Sequence, residues 1–232
     1  MFFGDFKRQV YALDAATGKL LWKMTLETHP RAVLTGAPAL YKGLLYVPIS
    51  SWEETAGGVG SYGCCTARGG LAALDAKNGR LIWKTYAIEQ EPHPTVKNSA
   101  GTQMYGPAGA AVWSAPTIDA KRAVVYIGTG DTYTDVKDDG SDAIMALDLA
   151  SGKVKWKNQV TQNDSFLMGC NRRARPGRNS RPWGIADRCA AGQPNALSLI
   201  TASAPGAIRS WCFMVIILMI FRNFAPRRRI RI

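Results

Sequence analysis

Two adjacent cysteines, Cys64 and Cys65, lie in the stretch SYGCCTARGG, directly before an apolar run. Consecutive Cα atoms are ~3.8 Å apart, below the roughly 4.4–6.8 Å that is usual across a disulfide. A disulfide between these neighbours would therefore be strained. The alternative is that Cys64 and Cys65 do not bond to each other and are free thiols, or that one of them pairs with Cys170. The sequence has no CxxC pair and its histidines are His29 and His93, so it gives little support to a zinc site.

The excess positive charge lies in the C-terminal part of the chain. The formal net charge of the 232 residues is +12, yet residues 1–171 hold 17 lysines and arginines against 16 aspartates and glutamates. Residues 172–232 hold 12 arginines, no lysine and one acidic residue, Asp187. The charge therefore does not indicate an anionic partner for the first 171 residues, and no nucleic-acid-binding motif accompanies it.

Three similar segments organise the first 160 residues: YALDAATGKLLWK from Tyr11, LAALDAKNGRLIWK from Leu71 and MALDLASGKVKWK from Met145. Each segment has a leucine, an aspartate, a glycine and a tryptophan at the same offsets. The aligned residues are Leu13, Leu74 and Leu147, Asp14, Asp75 and Asp148, Gly18, Gly79 and Gly152, and Trp22, Trp83 and Trp156. Three matches at four fixed offsets are very unlikely by chance, so the segments predict a structural repeat.

Each copy of the repeat predicts a β-hairpin. An apolar strand runs into Asp-x-x-x-Gly, where the aspartate can bond its own backbone and the glycine can adopt a positive φ. A further hairpin precedes the second and third copies, over residues 39–49 and 116–130. Two hairpins make a four-stranded antiparallel sheet, and sheets repeated at this interval are typical of a β-propeller. We therefore expect an all-β fold, with half a blade over about 1–27 and whole blades over about 37–89 and 115–160.

The tryptophan repeat resembles that of the pyrroloquinoline quinone (PQQ) propellers, the fold of the quinoprotein alcohol dehydrogenases. The resemblance implies that Cys64 and Cys65 form a disulfide that packs against one face of PQQ. It also implies that Trp113, in GAAVWSAPTID, stacks on the other face, whereas the alternative is an ordinary core tryptophan. Propellers have at least about four blades, so we expect this chain to form a partial propeller.

The same resemblance assigns charged residues to the site. Asp131, in YIGTGD, stands where the alcohol dehydrogenases have a calcium-binding asparagine, and a carboxylate is at least as good a ligand for Ca²⁺. Glu53 and Glu54, in SSWEE, are further calcium-ligand candidates. Arg68 resembles the arginine that bonds the quinone oxygens, although its spacing from the cysteine pair differs. The alternative for Asp131 is an ordinary aspartate in a turn at the end of a strand, and the alternative for Glu53, Glu54 and Arg68 is that they are exposed loop residues. No general base is identified.

Over residues 4 to 170, approximately, the chain resembles the polyvinyl alcohol dehydrogenases. The matching segments are SSWEE, SYGCCTARGG, GPAGAAVWSAPTIDAKRAVVYIGTGDTYTD and SDAIMALDLASGKVKWK. The resemblance implies a periplasmic enzyme that uses PQQ and calcium, oxidises secondary alcohols such as polyvinyl alcohol and passes electrons to cytochrome c. Calcium in such an enzyme polarises the quinone carbonyl, a carboxylate removes the hydroxyl proton and hydride moves to the quinone.

The resemblance ends at Cys170. We therefore expect residues 1–170 to form about two and a half blades, and residues 171–232 to be a basic, arginine-rich tail without stable structure. Residues 172–232 contain arginine but no lysine, which is typical of GC-rich coding sequence read out of frame. The hypothesis is therefore a frameshifted or truncated gene product, and we expect such a fragment to be inactive alone. The apolar run over residues 211–221 is too short to span a bilayer, and the sequence MFFGDFKRQV shows no export signal.

Two other functional classes stay open at this point. A non-catalytic PQQ-like propeller could act as a scaffold that binds other proteins, and it would need none of Cys64, Cys65, Trp113 and Asp131. The second class is an interaction protein that uses its basic tail on an anionic lipid surface or on nucleic acid. Neither nucleic-acid binding nor membrane contact of the tail is expected.

Overall fold

A computed structural model describes residues 1–162 and 164–167 of the chain. These residues form antiparallel sheets, and the expected basic tail, residues 171–232, lies outside the described residues together with Cys170. Within the described ranges no helix is long and apolar enough to cross a membrane.

The first sheet contains the strands β1 (Phe2–Gly4), β2 (Gln9–Leu13) and β3 (Leu20–Thr25), in that order. The sequence predicts the hairpin β2–β3. The structure adds β1, because Phe2 pairs with Ala12 at the side of β2 that the hairpin leaves open. The predicted half blade is therefore a three-stranded sheet.

The second sheet is a four-stranded blade with a short extension. Its strands are β5 (Ala39–Tyr41), β6 (Leu44–Ser51), β7 (Gly70–Asp75) and β8 (Leu81–Tyr86). The two-residue strand β4 (Ala32–Val33) pairs with the last residues of β6. A single turn of helix, α1 (Glu53–Ala56), follows β6 directly and begins the long loop that carries the cysteine pair.

The third sheet is the second complete blade that the sequence predicts. A separate hairpin, β9 (His93–Lys97) and β10 (Gln103–Gly106), lies in the insertion before it. The blade itself consists of β11 (Thr117–Asp119), β12 (Val124–Gly128), β13 (Ala143–Asp148) and β14 (Val154–Gln159), paired in chain order.

The repeated aspartate and glycine shape the hairpin turns as predicted. The Asp148 carboxylate accepts hydrogen bonds from the amides of Ala150 and Ser151, and the Gly152 amide donates to the Asp148 carbonyl. Gly152 has a φ of +69°, a conformation that side chains with a Cβ adopt with strain. Gly18 and Gly79 repeat it with φ of +70° and +75°.

Each repeat tryptophan in the first two sheets packs on the turn of the following sheet. The indole Nε1 of Trp22 donates to the Ala76 carbonyl at 3.0 Å, and that of Trp83 donates to the Leu149 carbonyl at 3.2 Å. A Cβ on Gly79 would lie 2.7 Å from Cε3 of Trp22, so the turn must carry a glycine for the ring to pack there. These contacts join consecutive sheets through two buried apolar clusters. The all-β, partial propeller fold is confirmed.

Candidate functional site

Glu53 ties the cysteine loop (residues 61–70) to the end of β6. Its side chain is fully buried, and its Oε2 accepts hydrogen bonds from the Thr66 amide at 2.9 Å and the Ala67 amide at 2.6 Å. Its Oε1 accepts a hydrogen bond from the Tyr62 hydroxyl at 3.0 Å and lies 3.6 Å from Nε2 of His29. Burial of a charged carboxylate is costly unless hydrogen bonds or an opposite charge compensate it, and the hydrogen bonds that Glu53 accepts make it the anchor of the loop.

The cysteine pair lies at the centre of a small apolar cluster. The side chains of Cys64 and Cys65 are fully buried, and their sulfur atoms are in bonding contact. The Cys65 amide donates to the Tyr105 carbonyl at 3.0 Å, and the Tyr105 amide donates to the Cys64 carbonyl at 2.7 Å. Tyr133 and Leu167 belong to the same cluster, so the pair is held between β10 and the segment that follows β12.

Glu54 and Asp131 form a pair of acidic side chains beside this cluster. Burial and then the negative charge of Glu54 raise the pKa of Asp131 to about 7, and burial also raises the pKa of Glu54. Oδ2 of Asp131 is buried and makes no hydrogen bond within the described residues. An unpaired buried carboxylate oxygen beside a second carboxylate is an arrangement that a cation stabilises.

Two neighbouring groups complete the surroundings of the acidic pair. The Tyr133 hydroxyl donates to the Ser51 carbonyl at 3.2 Å, and burial together with the charges of Glu54 and Asp131 raises the pKa of Tyr133 well above its usual value. Asp142 also has a buried carboxylate oxygen without a hydrogen bond in the described part of the chain. Burial, with the charge of Asp164, raises the pKa of Asp142 to about 6.

The sequence alone does not indicate Asp142 as a site residue. Asp142 stands in a loop that contains several aspartates, so no motif distinguishes it from its neighbours. Only the folded chain shows that its carboxylate is buried. A φ of +45° places it in the left-handed region, which is uncommon for a residue other than glycine.

Gly109 brings the cysteine loop and Asp131 into one site. Its φ is +111°, and a Cβ at this position would lie 2.7 Å from the Asp131 carbonyl oxygen. Its backbone bridges to Arg68 on one side and to Thr132 on the other. Only glycine combines this conformation with such a close approach.

Trp113 lies against the strand end that carries Asp131. Its indole is half-buried and meets the ring of Trp52 edge-on, with 5.8 Å between the centroids. A Cβ on Gly130 would lie 3.5 Å from Nε1 of Trp113, so the glycine before Asp131 adjoins the indole. Trp113 therefore lies next to the strand end that carries Asp131.

Residues 51–54 connect the separate parts of the site. Ser51 contacts Tyr133, Trp52 contacts Trp113, Glu53 holds the cysteine loop and Glu54 faces Asp131. Consecutive residues of a short turn point in different directions, which explains how one stretch reaches all of these groups. The sequence SSWEE thus brings together the cysteine pair, Trp113 and Asp131.

Arg68 is placed differently from the other predicted residues. Its guanidinium is largely buried over the ring of Tyr86, with 4.2 Å between Cζ and the ring centroid. Nη1 donates to the carbonyls of residues 88, 89 and 90, and Nη2 lies 2.6 Å from the Glu91 carboxylate. In the structure the guanidinium therefore holds the segment after β8.

Glu53 and the two cysteine sulfurs lie close enough together to suggest a metal cluster, since their ligand atoms fall within 4.8 Å of one another. The oxygens of Glu53 already accept hydrogen bonds from two backbone amides, and the sulfurs of Cys64 and Cys65 are in contact with each other. The acidic pair Glu54 and Asp131, with its unpaired oxygen, suits a cation better.

The chain is similar to known quinoproteins. It is 49% identical over 174 residues to a polyvinylalcohol dehydrogenase from Pseudomonas sp, which covers 75% of this chain and 27% of that protein. It is 45% identical over 170 residues to a polyvinylalcohol dehydrogenase from Sphingopyxis sp. (strain 113P3), covering 73% and 26%. The chain spans about a quarter of the length of these relatives.

A solved structure gives the same fold. The quinohemoprotein alcohol dehydrogenase from Comamonas testosteroni superposes with a TM-score of 0.52 at 25% identity, over 71% of this chain and 26% of that one. The PQQ family described as "Glucose/ethanol/alcohol dehydrogenase, beta-propeller domain" matches residues 33–168, which include both complete blades and the site between them. This chain belongs to that family of PQQ dehydrogenase β-propellers.

Proposed function

We propose that this chain supplies part of the cofactor site of a PQQ- and calcium-dependent alcohol dehydrogenase of the polyvinyl alcohol dehydrogenase type. The observation that carries the proposal is the buried, unpaired Oδ2 of Asp131 beside Glu54. Family membership and the likeness to two polyvinylalcohol dehydrogenases support the choice of cofactor and substrate class.

Glu54 and Asp131 would hold the calcium ion. Both are carboxylates, the ligand type that Ca²⁺ prefers, and both are at least partly buried with pKa values raised by that burial. A divalent cation between them would compensate for the burial that raises both pKa values and for the negative charge of Glu54 that raises the pKa of Asp131 further. Glu53, the neighbouring candidate, keeps its role as the anchor of the cysteine loop because amides already occupy its oxygens.

Trp113 and a disulfide between Cys64 and Cys65 would bound the quinone on its two faces. The half-buried indole of Trp113, next to the glycine at position 130, suits a flat ring. Both sulfurs are fully buried with Leu167 in the same cluster, so a ring that contacts them requires a movement of the groups that cover them.

Arg68 is a proposed quinone contact only on the resemblance. Its guanidinium would have to leave the carbonyls of residues 88–90 to reach a ligand.

When bound, PQQ with its calcium ion supplies an acceptor for hydride from an alcohol carbon. The residues of this chain prepare the site for that chemistry. Glu54 and Asp131 balance the charge of the cation, Trp113 shields one ring face from water, and Glu53 fixes the cysteine loop. We assign no residue of the described part as the general base.

The activity of the whole protein is proposed to be the oxidation of secondary alcohols such as polyvinyl alcohol, in the periplasm, with cytochrome c as electron acceptor. The two relatives named polyvinylalcohol dehydrogenase support the substrate class. Because the chain spans about a quarter of their length, we propose that it does not turn over substrate alone.

Dye-linked turnover tests this proposal. The purified chain, incubated with PQQ and CaCl₂, is assayed with polyvinyl alcohol, a secondary alcohol and a primary alcohol, in parallel with the intact Pseudomonas relative. We expect the relative to reduce the dye and this chain to bind PQQ without turnover. Sustained turnover by this chain would contradict its inactivity, and failure to bind PQQ would contradict the proposed site.

A further inference from the structure

The outer face of the third sheet repeats the face with which the second sheet docks. In the second sheet, Tyr46, Ala73 and Trp83 lie opposite one another across three strands. In the third sheet, Tyr126, Ala146 and Trp156 occupy the same positions. Each tyrosine also contacts its tryptophan with about the same ring separation, 5.9 Å and 5.8 Å. The two faces are thus built alike.

The two faces differ in what covers them. Trp83 is 8% exposed, and both its Nε1 and the hydroxyl of Tyr46 donate to the Leu149 carbonyl in the next sheet. Trp156 is 47% exposed, and so is Ile144, whose counterpart Leu71 is fully buried. The third sheet therefore presents a docking face of aromatic and aliphatic side chains to solvent.

The first sheet presents the complementary surface at the other end of the array. Gly79 and Gly152 each lie under the tryptophan of the preceding sheet, whereas a Cβ on Gly18 would meet no atom of the described residues within 4 Å. Ala15 follows the repeat aspartate as Ala76 and Leu149 do, and those two residues supply the carbonyls that accept the indole hydrogen bonds.

The apolar residues next to this free turn match the docked faces as well. Phe3 pairs with Tyr11 in the register in which Val47 pairs with Ala72, and Val47 and Ala72 are buried against the first sheet. Phe3 is 38% exposed and stacks on Tyr11. Within the described residues, the first sheet thus has an unoccupied acceptor turn beside a partly exposed aromatic pair.

We propose that two copies of this chain associate head to tail, with Trp156 of one copy packed on Gly18 of the other and its indole bonded to the Ala15 carbonyl. The interface would continue the contact that joins the sheets within one chain. A head-to-tail interface closes into a ring or grows into a filament. Two copies bring together four complete blades and two three-stranded sheets, a number within the roughly four to eight blades of propellers, so a closed dimer is expected.

Sedimentation of the full chain without PQQ or calcium tests this proposal, independently of the proposed enzymatic function. The unchanged chain should sediment as a dimer at micromolar concentration. Trp156→Ala and Gly18→Asn should each weaken association by at least about tenfold, because tryptophan contacts dominate many interfaces and the asparagine side chain would occupy the indole site. Leu40→Ala and Gly43→Asn are matched controls. Leu40 is exposed on β5, and Gly43 has a positive φ and a position at which a Cβ would meet no described atom within 4 Å.

A mixture of the two variants separates this interface from association through other surfaces. Trp156→Ala keeps an intact acceptor turn and Gly18→Asn keeps an intact tryptophan, so an equimolar mixture should form a heterodimer although neither variant self-associates. If the unchanged chain is a monomer, the proposal is overturned. This includes a monomer in which a fluorescence quencher fails to reach Trp156 because another segment of the same chain covers it. Association that neither substitution weakens also overturns it.

Discussion

At the scale of single residues, two adjacent glutamates have different surroundings. Glu53 is completely buried and accepts hydrogen bonds from backbone amides of the cysteine loop. Glu54 faces Asp131, and burial raises its pKa. The first glutamate therefore serves the structure of the loop, and the second is the one available to a cation.

Substitution of each glutamate separates these two roles. Glu53→Gln should lower the free energy of unfolding by about 3 kcal/mol, because the new amide group meets backbone donors and charged hydrogen bonds are worth roughly 1.5–3 kcal/mol each. Glu54→Gln, the matched control, should change it by less than about 1 kcal/mol while weakening calcium binding. Urea denaturation followed by fluorescence measures both. Equal losses of stability would contradict the assignment.

The pKa of Asp131 makes the effect of calcium depend on pH. Its value of about 7 in the folded chain lies above the usual ~3.9 of an unfolded aspartate. The folded state therefore holds the proton longer, and this group lowers stability as the pH rises from about 4 to 7. Calcium competes with that proton, so it should raise the melting temperature at pH 8 and have little effect at pH 5.

Thermal melts with and without CaCl₂ at the two pH values check this expectation. A calcium concentration a hundredfold above the dissociation constant contributes about 2.7 kcal/mol. Asp131→Asn keeps an oxygen ligand and should flatten the pH dependence, whereas Asp139→Asn, at an exposed carboxylate, should change nothing. Equal stabilisation of the unchanged chain at pH 5 and pH 8 would contradict the role of Asp131.

At the scale of elements, the repeat sequence determines both the turns and the contacts between sheets. The aspartate bonds its own turn, the glycine provides positive φ, and the tryptophan packs on the glycine of the next copy. These features could be predicted because the partners lie at fixed offsets in the repeat. The strands β1 and β4 could not, since each is short and forms only by pairing with a strand elsewhere in the chain.

The contact between tryptophan and glycine can be tested with a pair of glycines. Gly79 and Gly43 have φ of +75° and +78°, so alanine is strained equally at both positions. Only at Gly79 would the added Cβ meet an indole, at 2.7 Å from Trp22. Gly79→Ala should cost about 1–3 kcal/mol more than Gly43→Ala, in the range of overpacking. Similar losses in urea denaturation would show that the sheets are not joined in this way.

At the scale of the whole molecule, the candidate site draws on the second and third sheets and the loops between them. Cys64, Cys65, Trp113 and Asp131 could be proposed from the sequence because each stands in a short motif, and the folded chain brings these motifs close together. The sequence suggests Arg68 as a quinone contact, but it could not predict the partners of Arg68 at residues 88–91, which follow from the path of a loop rather than from a motif. Nor does it indicate Asp142, which becomes a buried acid only in the folded chain.

The most direct test of the central claim is equilibrium binding of PQQ to the purified chain in CaCl₂ and in excess EGTA. Quenching of tryptophan fluorescence should report saturable binding of one PQQ per chain in calcium, weakened at least about tenfold in EGTA and in Asp131→Ala, since lost charged contacts cost more than ~1.4 kcal/mol. Trp113→Leu should weaken binding and reduce the quenching. Binding that is absent in calcium, or equal with and without it, would contradict the account.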